Sequence, residues 1–453
     1  MTQPENNKQG KQAAAPCRNA LARELFRMTW PMLFGVLSLM SFQLADSAFI
    51  GQLGVLPLAA QGFTVPMYQL VIGFQVGLGI ATTAVISRAL GAKDQPFARL
   101  LAGAVVLLGA VLIGLLCLLI WFLRDLILRG LGAGPEVYPA VAEYWSVWLP
   151  SAWVGAMVYF GYSISRANGN TLLPGWLMVF TSLLNIVLDP IFIFVFEFGL
   201  PGAAMATLLS FTLGGLIVYP KVLQHGWLLI QWQRQRLMVA SRRLLHIMAP
   251  AMLSQLLPSI SALLATALLA SYGESAVGAW GLGTRFEFFS IVIVLALTMS
   301  MPPMVGRLLG KQDFQSIRTL VNMAVIFVLG LQALIGVIWW VSAEPLSELF
   351  SSDVEITNIL ALYIQTMPLS YGPLGVCILM VSVNNALGLP MRALLTSLFR
   401  LFLCYLPFLW LGSHFYGLSG VFWGGMVGNC VAGFMAWSLY KQGIRLLSNK
   451  EKI

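Results

Sequence analysis

Two aspartates stand inside long apolar stretches with no Lys or Arg beside them. Asp46 closes the run "MTWPMLFGVLSLMSFQLA" (28–45), and Asp189 lies in "TSLLNIVLDPIFIF" (181–194). Asn185 precedes Asp189 by four residues, so in a helix both side chains share one face. Thr207 follows eighteen residues after Asp189. An ionised carboxylate in hydrocarbon is costly and marks an ion or proton path unless it reaches water at a helix end. Two carboxylates without a fixed base, together with amide and hydroxyl oxygens, suit a partner that comes and goes. Asp46 and Asp189 are then expected to share a cavity, a proton or a cation; no firmer metal site is expected. Two prolines accompany the acids. Pro190 directly follows Asp189, and Pro31 stands fifteen residues before Asp46. Inside a helix, each removes a backbone donor and loosens the local ladder.

Elements that position such residues must be membrane helices. Of 453 residues, 58% are hydrophobic and only 9% charged, with mean hydropathy +0.83. A soluble domain carries about 25% charged residues. Long apolar runs exclude a porin-like barrel, whose strands are short and alternating, and backbone satisfaction in lipid leaves helices. The net charge of +9 does not point to nucleic acid, because the bases sit in short loops between apolar runs. The five Cys show no metal or redox spacing, and the three His are scattered. There is no Walker sequence, and no enzyme or cofactor is expected. The N-terminal "MTQPENNKQGKQAAAPCRNA" lacks the apolar core of a signal peptide.

Twelve apolar runs, near 30–53, 62–87, 101–123, 137–162, 172–196, 202–223, 245–271, 284–306, 319–342, 357–382, 393–413 and 417–440, each suit one crossing. Bases set the orientation. With the N-terminus inside, inner segments hold Lys8, Lys11, Arg88, Lys93, Arg99, Arg166, Arg242, Arg243, Arg307, Lys311, Arg392 and Lys441. Outer loops hold mainly acids, among them Asp125, Glu136, Glu197, Glu274, Glu344 and Asp353. Both termini are therefore expected in the cytoplasm. Asp46 and Asp189 then lie at similar depth in the outer half.

The two halves repeat. An ungapped offset of 219 pairs Gly54 with Gly273, Arg88 with Arg307, Gly91 with Gly310, Asp94 with Asp313 and Gly169 with Gly388. Two parallel six-helix units follow, as in several transporter folds. The expected organisation is a cytoplasmic tail (1–20), a first lobe (21–224), a cytoplasmic inter-lobe loop (225–243), a second lobe (244–441) and a cytoplasmic tail (442–453). The repeated Gly-X-X-Asp segments read as helix ends and basic loops. The polar residues inside the first half break the symmetry. Asp46 maps onto Ala265; at offset 218, Asn185 maps onto Leu403, Asp189 onto Pro407 and Thr207 onto Gly425. Arg285 and Glu287 read as flanking an interface, and Arg400 as snorkelling to the inner surface. Tyr144 suits either the cavity or an aromatic belt.

Pro31 and Asp46 at this spacing, "NIVLDPIF", Thr207 and the repeated halves together resemble the multidrug and toxic compound extrusion (MATE) transporters, over nearly the whole chain after residue 20. The resemblance implies two lobes in a V around a central cavity, from which cationic amphipathic drugs leave in exchange for H⁺ or Na⁺. The better-known branch of that family also uses carboxylates on the seventh and tenth helices, but 245–271 and 357–380 contain none. The chain is more similar to the DinF-like branch, whose coupling residues match Asp46, Asn185, Asp189 and Thr207. Tyr144 aligns with a cavity tyrosine, and Tyr159 falls where that branch has a cavity asparagine. The expectation is a monomeric secondary exporter, proton-coupled with Na⁺ as the alternative, whose first helix bends at Pro31. A lipid-linked-precursor flippase is the alternative function; it would carry headgroup-binding bases in its core. A channel fits repeated, Pro-interrupted halves less well.

Overall fold

The computed structural model describes residues 18–229, 234–351 and 353–450. The tail expected at 1–20 lies outside the described residues up to Cys17, as do 230–233 of the inter-lobe loop and 451–453 at the C-terminal end.

Ten helical segments among the described residues are long and apolar enough to cross a membrane. Pro390–Asn449 is one of them; it runs for 60 residues and breaks at Gly417 (φ 61°, ψ −142°), which makes it two crossings. Val137–Ala167 adds another, more polar helix of 31 residues through the bundle. Twelve crossings result: α1 (Arg18–Gly51), α2 (Val55–Gly91), α3 (Gln95–Phe122), α4 (Val137–Ala167), α5 (Leu172–Val195), α6 (Gly199–Gln224), α7 (Arg234–Ala270), α8 (Glu274–Gly310), α9 (Phe314–Val341), α10 (Val354–Ala386), α11 (390–416) and α12 (418–450). Phe122, Leu263, Ile326 and Phe434 are among many large side chains left exposed on this all-helical body, as a lipid-facing surface requires.

Helices outrun the apolar stretches that signal them. α7 begins at Arg234, so Arg236, Arg242 and Arg243 stand on its first turns and not in a loop reaching 243. "RQRLMVASRR" contains no breaker and consists largely of good helix formers, so the helix extends beyond the apolar run. α12 likewise runs through Lys450, where a tail was expected from 442.

Two hydrophobic cores form, one largely from α1–α6 and the other largely from α8–α12. They share helices across the middle. Leu21 and Met28 of α1 belong to the second core, while Ala240, Leu244 and Met248 of α7 belong to the first. The repeat is visible in the backbone as well. Gly54 (φ 107°) and Gly273 (φ 108°) open α2 and α8 with the same left-handed turn, and Gly169 (φ 84°) and Gly388 (φ 72°) follow α4 and α10. Asp94 and Asp313 cap the next helices, accepting from the backbone N–H of Phe97 (3.2 Å) and Ser316 (3.0 Å). Short helices Arg124–Gly130 and Ala343–Phe350 also begin 219 residues apart.

The halves meet at the face that carries these basic loops. A Cβ on Gly91 would lie 2.9 Å from the Cα of Arg307, and one on Gly310 would lie 2.8 Å from the Cα of Gly91. Only glycine allows α2 and α8 to cross so closely. The Arg307 guanidinium reaches the Gly169 turn and donates to the Ala167 carbonyl (3.4 Å); Arg88 reaches the Gly388 turn of the other half. At the same end, Thr29 of α1 and Ser300 of α8 share a hydrogen bond (2.7 Å).

Candidate functional site

α5 and α6 bring three of the expected residues together. Asp189 is fully buried and Asn185 nearly so. With its amide turned so that the NH₂ faces the carboxylate, Asn185 donates to Asp189 Oδ2 at 2.9 Å, while its carbonyl accepts from Thr207 Oγ1 at 3.1 Å. Pro190 cannot donate to the ladder, and α5 widens into a π-turn over Ile191–Val195 immediately afterwards. Asp189 Oδ1 is buried and receives no donor among the described residues.

Asp46 lies half-buried on α1. Gln61 of α2 approaches its Oδ2 at 3.5 Å, and its Oδ1 is also buried without a donor. The two carboxyls are within electrostatic reach of each other, and buried Tyr144 of α4 is within reach of both. Tyr144 is packed into the first hydrophobic core. Among the described residues each carboxylate thus keeps one buried oxygen without a donor, an arrangement whose chemistry suits a proton or a small cation. Among the described residues, no cluster of three or more His, Cys, Asp or Glu could hold a metal ion.

Gln61, Tyr68 and Gln75 extend this polar arrangement along α2. Their seven-residue spacing places them on one face, a signal legible in the sequence but overlooked there. Gln43 of α1 donates to the Tyr68 hydroxyl (2.9 Å), and both line a central cavity of about 460 Å³ between the halves. That volume suits a drug-sized molecule. Its first-half wall is aromatic, with Phe42, Tyr68, Tyr159, Tyr162 and Phe211. Tyr159 therefore takes a cavity position, while Asp46, Asn185, Asp189 and Thr207 are absent from the described lining.

Pro31 is buried within a continuous α1, against Gly175 of α5. Two bases depart from the expected positions. Arg400 lines the cavity instead of reaching the inner surface, because α11 carries it mid-span at the start of a π-turn over Arg400–Tyr405. Arg166, read as an inner-surface charge, is 3% exposed and also lines the cavity. Glu287 of α8 accepts from Tyr363 (3.4 Å) within the second half and is absent from the described cavity lining.

The MatE family model matches residues 31–191 and 250–411. A Shewanella oneidensis protein described as a FAD transporter is 31% identical over 425 residues, covering 92% of this chain and 94% of its own length. The Bacillus subtilis probable multidrug resistance protein YpnP is 26% identical, with 88% and 90% covered. A crystal structure of the Vibrio cholerae MATE transporter VcmN in the bent form shares 56% identity and superposes with a TM-score of 0.93, covering 95% of this chain and 98% of that one.

Proposed function

The chain belongs to the MatE family of multi-pass membrane transporters, and on that premise we propose that it is a secondary active exporter that exchanges small amphipathic aromatic molecules for protons at the Asp46–Asp189 site. The observation that carries this reading is that Asp189, bound through Asn185 to Thr207, and Asp46, bound to Gln61, each retain one buried oxygen without a donor among the described residues. The chain is not an enzyme.

The basic face, where α2 and α8 cross, is assigned to the cytoplasm by the distribution of Lys and Arg; both chain ends then lie there, in the inner membrane of a bacterium. The halves meet at that face, and on this reading the cavity opens outward. A proton entering from outside neutralises Asp46 or Asp189 and removes its need for a polar or cationic partner. α1 can then bend at Pro31, where a ladder bond is already missing, and squeeze the cavity. Coupling is limited by the difference in proton affinity between the two states, about 1.4 kcal/mol per tenfold difference. Na⁺ in place of the proton would use the same oxygens.

The acids favour a cationic cargo. A second reading, an anionic cargo, is favoured by Arg166 and Arg400 in the cavity wall and by the 31% identical relative, since a flavin dinucleotide carries phosphates. A flippase for lipid-linked precursors would also use such bases. The test is transport in proteoliposomes under an imposed pH gradient, then under a Na⁺ gradient, with ethidium as cationic cargo. Ethidium movement that ignores both gradients would remove the antiport reading.

A further inference from the structure

The deep end of the central cavity holds polar groups that the coupling site does not use. Arg166 ends α4 and Asn385 ends α10. They occupy equivalent positions in the repeat, 219 residues apart, and both line the cavity. Arg166 is 3% exposed and Asn385 is 1% exposed. Arg166 donates from Nη2 to Ser163 Oγ (2.8 Å) and lies over the Tyr159 ring (5.1 Å to the centroid), but its Nε has no partner and no carboxylate lies within ion-pair distance among the described residues. Among the described residues, Asn385 has neither its donor nor its acceptor satisfied.

A buried guanidinium without a counter-ion is expensive, and neither one hydroxyl nor one ring face replaces a charge. Placement at a helix C-terminus accounts for part of Arg166's stability through the helix dipole. It does not account for the orphaned Nε, or for an equivalent Asn385 left wholly unpaired. Groups of this kind in a cavity wall are matched by a ligand that arrives with the complementary oxygens.

We propose that Arg166 and Asn385, one from each half, form an anion-recognising site at the floor of the central cavity, where a phosphate, sulfonate or carboxylate of the exported molecule is seated. The guanidinium supplies the charge and the Asn385 NH₂ a second donor, leaving Oδ1 for a cargo hydroxyl or N–H. Tyr159 and the aromatic first-half wall take the apolar part of the cargo. Because the site draws on both halves where they close together, an anion bridging it favours the closed floor and loses one partner when the halves part. This rests on the exporter reading only in taking the central cavity as the cargo's place.

The test uses FMN and riboflavin, which share one ring system and differ by one phosphate, titrated by flavin fluorescence against the purified full-length protein in detergent. The wild type should bind FMN at least about tenfold more tightly than riboflavin. Arg166→Gln should weaken FMN about ten- to a hundredfold and riboflavin less than about twofold, with Arg166→Lys retaining part of the preference. If Arg166→Gln does not purify as a monodisperse protein, Asn385→Asp serves, since its carboxylate should repel the phosphate and reduce the same preference. Equal binding of the two flavins by the wild type, binding of neither, or an unchanged preference in these variants overturns the site. Displacement of FMN by phosphatidylglycerol, without gradient-driven FMN export, would assign the site to a lipid headgroup and overturn the cargo assignment. If the FMN preference depends on Arg166 but no cargo moves on any gradient, the exporter reading fails and the anion site stands.

Discussion

Gly175 of α5 lies directly against Pro31 of α1: a Cβ at Gly175 would sit 2.5 Å from the Pro31 carbonyl oxygen and 2.8 Å from its Cβ. The weakest point of the α1 ladder is therefore clamped by the helix that carries Asp189. Gly35, one turn further on, faces Met178 of the same helix, with 3.0 Å from its Cβ position to the flexible Sδ.

The clamp predicts unequal costs. Gly175→Ala must push backbone against backbone, and overpacking of that kind costs about 1–3 kcal/mol. Gly35→Ala meets a thioether that can rotate away and should cost less. Thermal unfolding in detergent should rank Gly175→Ala clearly below Gly35→Ala. The opposite order would mean that α1 and α5 do not pack this way at Pro31.

The carboxylates should be separable from the scaffold. Asn matches Asp in size and mimics its neutral form, so Asp46→Asn and Asp189→Asn should purify normally but lose pH-gradient-driven ethidium export to the level of empty liposomes. Asn185→Ala removes the donor to Asp189 Oδ2 and should reduce export without abolishing it. Wild-type export by either aspartate variant would exclude that residue from coupling.

Asymmetry between the halves gives a third expectation. Ala265 is the repeat partner of Asp46 and lies 1% exposed in the second core, while Leu403, Pro407 and Gly425 stand where the other half has Asn185, Asp189 and Thr207. An acid introduced at Ala265 finds no partners, so Ala265→Asp should not rescue Asp46→Ala. Recovery of gradient-driven export in the double variant would show the halves to be interchangeable.

How far the sequence reveals this arrangement depends on the kind of signal. Apolar run length and the 219-residue repeat set the number of crossings and their pairing, because hydrocarbon thickness and backbone satisfaction leave few choices. Asp46 and Asp189 stand out because each is isolated in an apolar run. Arg166 does not stand out, since a base at the end of an apolar run also looks like an inner-surface anchor; only tertiary packing turns it into the cavity. Gln61, Gln43 and Tyr68 are ordinary residues whose importance comes from pairing between α1 and α2, Gln61 with Asp46 and Gln43 with Tyr68. Where helices begin is equally hidden: "RQRLMVASRR" is polar enough to read as a loop yet has every propensity to be a helix.

A fourth prediction concerns the crossing of α2 and α8. Gly91→Leu places a side chain against the Arg307 backbone and should force the basic ends of the halves apart. Spin labels at the exposed Lys93 and Lys311 report that separation. The variant should shift their distance distribution to longer values and lower export, whereas Arg307→Ala, which loses the contact to the Ala167 carbonyl, should only broaden it. An unchanged distribution in Gly91→Leu would mean that this crossing does not hold the floor of the cavity shut.

The last prediction concerns α1 itself. Here the helix runs unbroken from Arg18 to Gly51 with Pro31 inside it, so any bend must come from a change of state. If neutralising Asp46 releases α1 from Gln61, bending should be favoured at low pH and suppressed at high pH in the wild type. In Asp46→Asn, where the charge is absent at every pH, α1 should hold one shape throughout. Pro31→Ala restores the missing donor and should keep α1 straighter at low pH, with reduced export. Label pairs spanning Pro31, one near Arg23 and one near Ser41, follow the bend directly. An α1 of the same shape at both pH values, in wild-type protein that still exports on a proton gradient, would sink the bending step and leave Asp46 and Asp189 to couple by another movement.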